Sequence, residues 1–115
     1  MKIIRIFSDK NGESHFEDIN IPLRKSGHTG KLSNPIGVKN IIFRETEEDY
    51  NYDWHNPSRR QYMITLGPVE IEASDGEKRI LDTGNILLAE DVTGKGHRSR
   101  AVNGQKRKSV FVTLE

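Results

Sequence analysis

The chain consists of short runs rich in β-branched and aromatic residues, separated by turn signals, and no stretch has the spacing of an amphipathic helix. In residues 69–74, Val69, Ile71 and Ala73 share one face and alternate with charged residues. Asp75-Gly76 then gives a strong hairpin signal, because both central residues of a type I′ turn need positive φ. Period-two alternation between turn signals is typical of half-buried strands, so the sequence predicts an all-β protein.

Eight or nine strands are predicted, and none of the connections between them needs a helix. The run at 16–23 is the weakest, because Pro22 confines it to an edge or to a strand end. Regularly spaced short strands of this kind predict a sandwich or a closed barrel. The predicted strands are residues 3–7, 16–23, 38–44, 61–66, 69–74, 78–81, 86–89, 97–102 and 109–114.

Length and composition fit one domain over residues 1–115. Apolar residues make up 33% and charged residues 30%, which suits a small barrel whose strands alternate between core and solvent. The 18 basic and 17 acidic side chains nearly cancel, so the charge does not indicate nucleic-acid binding. Without cysteine, disulfides and thiolate metal sites are excluded. No signal peptide and no membrane-spanning apolar run is recognisable, and we expect a cytoplasmic protein.

Two stretches carry the polar residues of interest. In the first, residues 54–67, His55 is followed by Gln61 and Gly67, and the second runs from Gly84 to His97. In this order the stretches resemble the two motifs of the cupin family, the first of which reads His-x-His, three or four residues, Glu, about six residues, Gly. The resemblance covers residues 43–114, and it implies a double-stranded β-helix, or jelly-roll barrel, with its ligand groups pointing inward.

The sequence departs from the cupin pattern at the positions that would hold a metal. Pro57 stands at the second His, and Gln61 puts a neutral amide at the Glu. Two imidazoles and an amide make a much poorer metal site than three imidazoles and a carboxylate. We therefore expect that a divalent ion (Fe, Mn, Ni or Zn) is bound weakly or not at all, by His55, Gln61 and His97.

Six residues are predicted to form a ligand pocket. The strand parity of His97 turns its ring inward among small neighbours, whereas His55 is either a pocket residue or a turn residue bonded to a carbonyl. An arginine at the barrel mouth can bind a carboxylate or phosphate through two parallel N–H groups. The rest of the basic cluster near the C-terminus, which includes Arg107, is predicted to face solvent. The predicted pocket residues are His55, Gln61, His97, Arg59, Trp54 and Asp91, the last of which either pairs with an arginine or orients His97.

Three functions are compatible with these residues. The first is a small-molecule binding protein whose ligand is small and polar or anionic. The second is an enzyme of the isomerase, epimerase or metal-dependent oxygenase type, with His55 and His97 as acid and base, since imidazoles titrate near neutrality. The third is a dimeric interaction module. We also expect a homodimer, formed by pairing an unpaired edge strand at residues 3–7 across a two-fold axis.

Overall fold

The computed structural model describes all 115 residues, and strands account for nearly all of its regular structure. The one helical element is a 3-10 turn at Gly27–Thr29, and no helix is long and apolar enough to cross a membrane. The strands are β1 (Lys2–Ser8), β2 (Ser14–Asn20), β3 (Arg24–Lys25), β4 (Lys31–Leu32), β5 (Val38–Thr46), β6 (Asn51–His55), β7 (Gln61–Leu66), β8 (Val69–Ala73), β9 (Lys78–Leu81), β10 (Ile86–Ala89), β11 (His97–Ala101) and β12 (Arg107–Leu114).

The strands form two main sheets that pack face to face. The larger has six strands in the order β2-β1-β10-β7-β12-β5, and the smaller has four in the order β6-β11-β8-β9. β3 and β4 form a separate two-stranded hairpin. The prediction of an all-β protein is therefore confirmed. No hydrogen-bonded strand pair joins the two main sheets, so they form an open two-layer structure and not a closed barrel.

The expected unpaired edge at the N-terminus is wrong. β1 pairs along its whole length with β2, and on its other side it runs parallel to β10. The tight hairpin brings β2 onto one side of β1, and burial of Ile3 and Ile6 holds the strand inside the sheet. The edges of the large sheet are β2 and β5. β6 was not predicted, because its acidic and aromatic residues are mostly exposed and lack the alternation of a half-buried strand.

Apolar and polar residues occupy different parts of the interior. The main apolar cluster comes from β1, β2, β7 and β10 of the large sheet and from β8 and β9 of the small sheet. β12 and β5, at the other side of the large sheet, instead contribute Arg107, Ser109 and Thr46 as buried polar residues. One side of the space between the sheets is therefore an apolar core and the other is polar. The cluster comprises Ile6, Phe16, Met63, Val69, Ile71, Ala73, Leu81, Leu87 and Ala89.

The β1-β2 hairpin braces the loop between β10 and β11. Ser8 Oγ donates a hydrogen bond to the carbonyl of Thr93 at 2.7 Å, and the backbone N–H of Lys95 donates to the carbonyl of Gly12 at 2.8 Å. Ser14 Oγ donates to the carbonyl of Gly96 at 2.6 Å. These bonds fix the loop immediately before His97.

Candidate functional site

A cavity of about 280 Å³ lies between the two sheets and is lined from both. The registers of the paired strands show in which order the lining residues follow one another along the cavity. At one end Gln61 pairs with Ala89 on β10, and in the middle Met63 pairs with Leu87 and with Phe111. The lining residues are Arg44, Tyr50, Tyr52, His55, Asn56, Pro57, Ser58, Gln61, Met63, Val69, Ile71, Leu87, Ala89, His97, Ser99, Arg107 and Phe111. The cavity thus has imidazoles and an amide at one end, apolar side chains in the middle and arginines at the other end.

An irregularity in β6 places His55 in this cavity. His97 on β11 pairs with His55, but Ser99 pairs with Tyr52, so the register shifts between the two pairs. A bulge of this kind re-aims a side chain. It brings Tyr52 and His55, three positions apart, onto one face, where their rings stack with centroids 3.7 Å apart. The His55 ring also contacts the ring of His97 in a tilted arrangement, with centroids 4.5 Å apart.

Glycine at position 96 allows this approach. Gly96 has φ of +72°, and a Cβ on it would lie 2.1 Å from the carbonyl oxygen of His55. That distance is far shorter than a van der Waals contact. Neither atom can move aside, because the Cβ position is fixed by the backbone of residue 96 and the oxygen belongs to the backbone of His55. The loop can therefore pass beside β6, and deliver His97 next to His55, only with glycine at this position.

His97 is oriented by a buried carboxylate. Its Nδ1 lies 2.6 Å from Oδ2 of Asp91, and Asp91 is completely buried. The backbone of Asp91 is held in turn, because Asn56 Nδ2 donates to its carbonyl at 2.8 Å. In neutral His97 the Nδ1–H donates to the carboxylate, which leaves Nε2 as a hydrogen-bond acceptor for a ligand. The other carboxylate oxygen of Asp91, Oδ1, is buried without a partner.

Burial favours the neutral form of His55. It is the main cause that lowers the pKa of the His55 ring, and the hydrogen bond to the carbonyl of Asp53 and the carboxylate of Asp91 act in the opposite direction without reversing the shift. Nδ1 of His55 lies 2.7 Å from the carbonyl of Asp53, so Nδ1–H donates to that oxygen. Nε2 of His55 is then a second acceptor at this end of the cavity. The two imidazoles can together accept hydrogen bonds from a hydroxyl or exchange a proton with a ligand.

The structure brings together only part of the predicted pocket. His55, Gln61 and His97 line the cavity, and Asp91 lies behind His97. Arg59 does not line it, because its guanidinium donates to the carbonyl of Leu114 at 3.3 Å.

Trp54 also lies outside the cavity. It is 42% exposed, and the guanidinium of Arg98 lies 4.8 Å from its ring. Three residues at the far end, Arg44, Tyr50 and Arg107, were not predicted to belong to a pocket. Arg44 and Tyr50 carry no sequence signal, and Arg107 sits in a basic run that is typical of a solvated face.

The side chains at the imidazole end do not fit a tightly held metal ion. His55, His97 and Gln61 are the donors present, and no group of three or more His, Cys, Asp or Glu side chains is placed to hold a metal. Asp91 is already bonded to Nδ1 of His97. The chemistry that these residues supply directly is hydrogen bonding and proton transfer.

Comparison with known proteins bears on the fold alone. No family model and no curated protein matches the chain. Among solved structures, the crystal structure of protein NMB1881 from Neisseria meningitidis is similar, with a TM-score of 0.52 and 17% sequence identity. The similarity covers 71% of this chain and 84% of that one.

We predict that Gly96→Ala is much more destabilising than Gly104→Ala. Both glycines have positive φ, but a Cβ at Gly104 meets nothing within 4 Å, so Gly104→Ala should cost only about 1 kcal/mol of left-handed strain. Gly96→Ala adds the collision with the His55 carbonyl and should cost about 3 kcal/mol or more. Urea unfolding measures both, and equal losses would contradict the close approach of this loop to β6.

We also predict a pH-dependent contribution of His55 to stability. The unfolded chain binds a proton at an ordinary histidine pKa of about 6.5, whereas the folded state resists protonation of His55. Wild type should therefore lose stability relative to His55→Gln as the pH falls below about 6.5, until the lowered folded pKa is passed. Melting temperatures of both proteins between pH 8 and pH 5 give this difference. A difference that does not change with pH would show that the ring is solvated.

Proposed function

We propose that this chain is a small-molecule binding protein with the jelly-roll architecture of the cupin family, and that its ligand binds in the cavity between the sheets. The observation that carries the proposal is the convergence of His55, Gln61 and His97 on that cavity. These are the residues that match the cupin motifs, and the open sheets with their regular strand pairing are compatible with that architecture.

The hydrogen bonding of His97 supports a role in ligand binding over a role in core packing. Its partner Asp91 is fully buried, and taking a carboxylate out of water is expensive unless it is hydrogen-bonded. A core position would be filled at lower cost by an apolar residue. An oriented imidazole held by a second layer of hydrogen bonds is the arrangement that fixes a ligand in one pose.

The second candidate function is proton-transfer catalysis, as in an isomerase or epimerase. It is favoured by the pair of adjacent imidazoles, one oriented by Asp91 and the other kept neutral by burial. In such a pair one neutral Nε2 removes a proton from the substrate, and the other imidazole, when it carries a proton on its own Nε2, returns one, which is general acid–base catalysis. Binding is ranked first because it requires only the hydrogen-bonding groups, whereas catalysis also requires a substrate carbon placed between the two rings.

We predict that His97→Gln weakens ligand binding at least tenfold and changes the melting temperature little. The amide of glutamine can still donate to Asp91, so the buried carboxylate is not left unpaired, but the acceptor that Asp91 orients is lost. Thermal-shift screening of wild type against sugars, sugar phosphates and organic acids identifies the ligand, since binding to the native state raises the melting temperature. The matched control is His28→Gln, at an exposed histidine.

Two results of this test would change the assignment. Turnover of the ligand by wild type, lost in His97→Gln while affinity stays within about tenfold, or roughly 1.4 kcal/mol, would establish the enzyme. A large loss of stability with unchanged affinity in the folded fraction would show that His97 has a structural role only.

We further propose that two copies of the chain associate through β5. Three consecutive apolar residues of this edge strand, Ile41, Ile42 and Phe43, are 59%, 49% and 75% exposed. An exposed apolar edge pairs readily with another strand, and pairing β5 with itself across a two-fold axis covers both copies identically. Leu32, Ile36 and Val38, which precede or begin β5, are also about half exposed. Together the six side chains expose on the order of 600 Å², compared with the roughly 800 Å² that each partner of a stable interface buries.

We predict that Ile41→Glu converts this dimer to a monomer and that Ile80→Glu does not. Ile80 lies on β9, an edge of the other sheet, and at 60% it is as exposed as Ile41, so the two variants carry the same change at matched exposure. Size-exclusion chromatography with light scattering should give twice the 13.1 kDa chain mass for wild type and Ile80→Glu. A monomeric wild type, or a dimer that only Ile80→Glu disrupts, would contradict an interface at β5.

A further inference from the structure

Two arginines at the far end of the cavity have no acidic partner. Arg44 and Arg107 both line the cavity, and Arg107 is only 5% exposed. Neither takes part in any of the ion pairs of the protein. Nε of Arg44 and Oγ of Ser109, its neighbour across the β5-β12 pair, are buried without any hydrogen-bond partner.

Aromatic rings are the main groups around these guanidiniums. The ring of Tyr50 lies 5.4 Å from both of them, and that of Phe111 lies 4.5 Å from Arg44. Cation–π contacts of this kind offset part of the cost of burying a cation, but they supply no counter-charge. Burial is the main cause that lowers the pKa of Arg107; Tyr50 acts in the opposite direction, and the nearby charge of Arg44 lowers it again. The protein alone therefore leaves this site with an excess of positive charge.

The main chain makes room for Arg107. Gly67 has φ of +145°, and a Cβ there would lie 3.3 Å from Cγ of Arg107. Leaving a buried cation without a partner is costly, and apolar residues of similar volume generally replace such charges without loss. The position of Arg107 therefore carries a cost in the free protein that an incoming anion would remove.

We propose that Arg44 and Arg107 form a subsite for the carboxylate of a small organic acid, whose hydroxyl is held by His55 and His97 or whose oxo group is held by the side-chain amide of Gln61 beside them. The planar fork of an arginine matches a carboxylate, with two parallel N–H groups facing two oxygens. Ser109 Oγ adds an unused donor beside Arg44. This subsite rests on the proposed binding function, and it names the class of ligand.

The lining between the two ends determines the rest of the ligand. Phe111, Met63 and Leu87 lie between the imidazole end and the arginine end, so the middle of the ligand is a short carbon chain. Ser109, opposite Arg44, is four residues along β12 from Thr113, opposite Gln61, which is about 13 Å between their Cα atoms. Arg44 and His55 line the same cavity, so one small molecule can contact both ends. The apolar middle makes an organic acid a better fit than inorganic phosphate.

The test compares acids with their neutral amides. 4-Hydroxybutyrate and 4-oxopentanoate, in which a short carbon chain separates the two polar groups, are tested against 4-hydroxybutyramide and 4-oxopentanamide by thermal shift at constant ionic strength, with inorganic phosphate as a further probe. In wild type the acids should raise the melting temperature and the amides should not. Arg107→Met and Arg44→Met should each lower the affinity for the acids at least tenfold, as measured from the dependence of the melting temperature on acid concentration. Without ligand, Arg107→Met should melt at or above the wild-type temperature. Arg59→Met is the control, because Arg59 lies outside the cavity, and it should keep the full response.

The other outcomes separate the subsite from the proposed function. Equal stabilisation by acids and amides, or an acid response that His97→Gln abolishes and Arg107→Met leaves intact, would overturn the subsite and retain the binding pocket. Stabilisation by inorganic phosphate alone, or by none of the probes, would overturn the organic acid. A lower melting temperature of ligand-free Arg107→Met with an unchanged acid response would make Arg107 structural. Should Arg107→Met fail to fold, the acid response of Arg44→Met decides the question.

Discussion

The division of the interior into an apolar side and a polar side is the constraint on which the candidate site depends. The nine residues of the main apolar cluster fill the space under β1, β2, β7 and β10. The inward positions of β12 and β5 hold Arg107, Ser109 and Arg44, which cannot pack as an apolar core does. A cavity remains where the two kinds of lining meet. Because buried charge is costly unless it is paired, this polar side is where we propose that a ligand binds.

The imidazole end depends on contacts that are distant in sequence. His97 meets His55 because the loop before it runs close to β6 at Gly96, and the N-terminal hairpin fixes that loop through Ser8, Gly12 and Ser14. The first fourteen residues therefore support the site without lining it. A substitution in this hairpin should displace His97 more than it displaces the apolar core.

Local patterns were sufficient to predict most strands and the all-β class. The predicted bounds of β7 to β10 agree with the structure almost to the residue. The Asp75-Gly76 turn joins β8 to β9 as expected, but it is not type I′, because only Gly76 has positive φ. The motif spacing also selected three side chains, His55, Gln61 and His97, that share a cavity.

The remaining features depend on pairing between distant strands. The position of β1 inside the sheet follows from its parallel partner β10, which no local pattern reveals. The bulge in β6 reverses the face on which His55 would be expected relative to Tyr52. Arg107 has the same sequence context as its solvated neighbours Lys106 and Lys108, and only the strand register turns it inward. Sequence alone therefore favoured Arg59 as the pocket arginine, whereas the structure puts Arg44 and Arg107 there.

The most direct test is a crystal structure of the protein grown with 4-hydroxybutyrate. We predict one molecule in the cavity with its carboxylate oxygens within about 3 Å of guanidinium nitrogens of both Arg44 and Arg107, and with its hydroxyl at the imidazole end. A carboxylate bound at Arg59 or elsewhere on the surface, with the cavity filled only by water, would contradict this prediction.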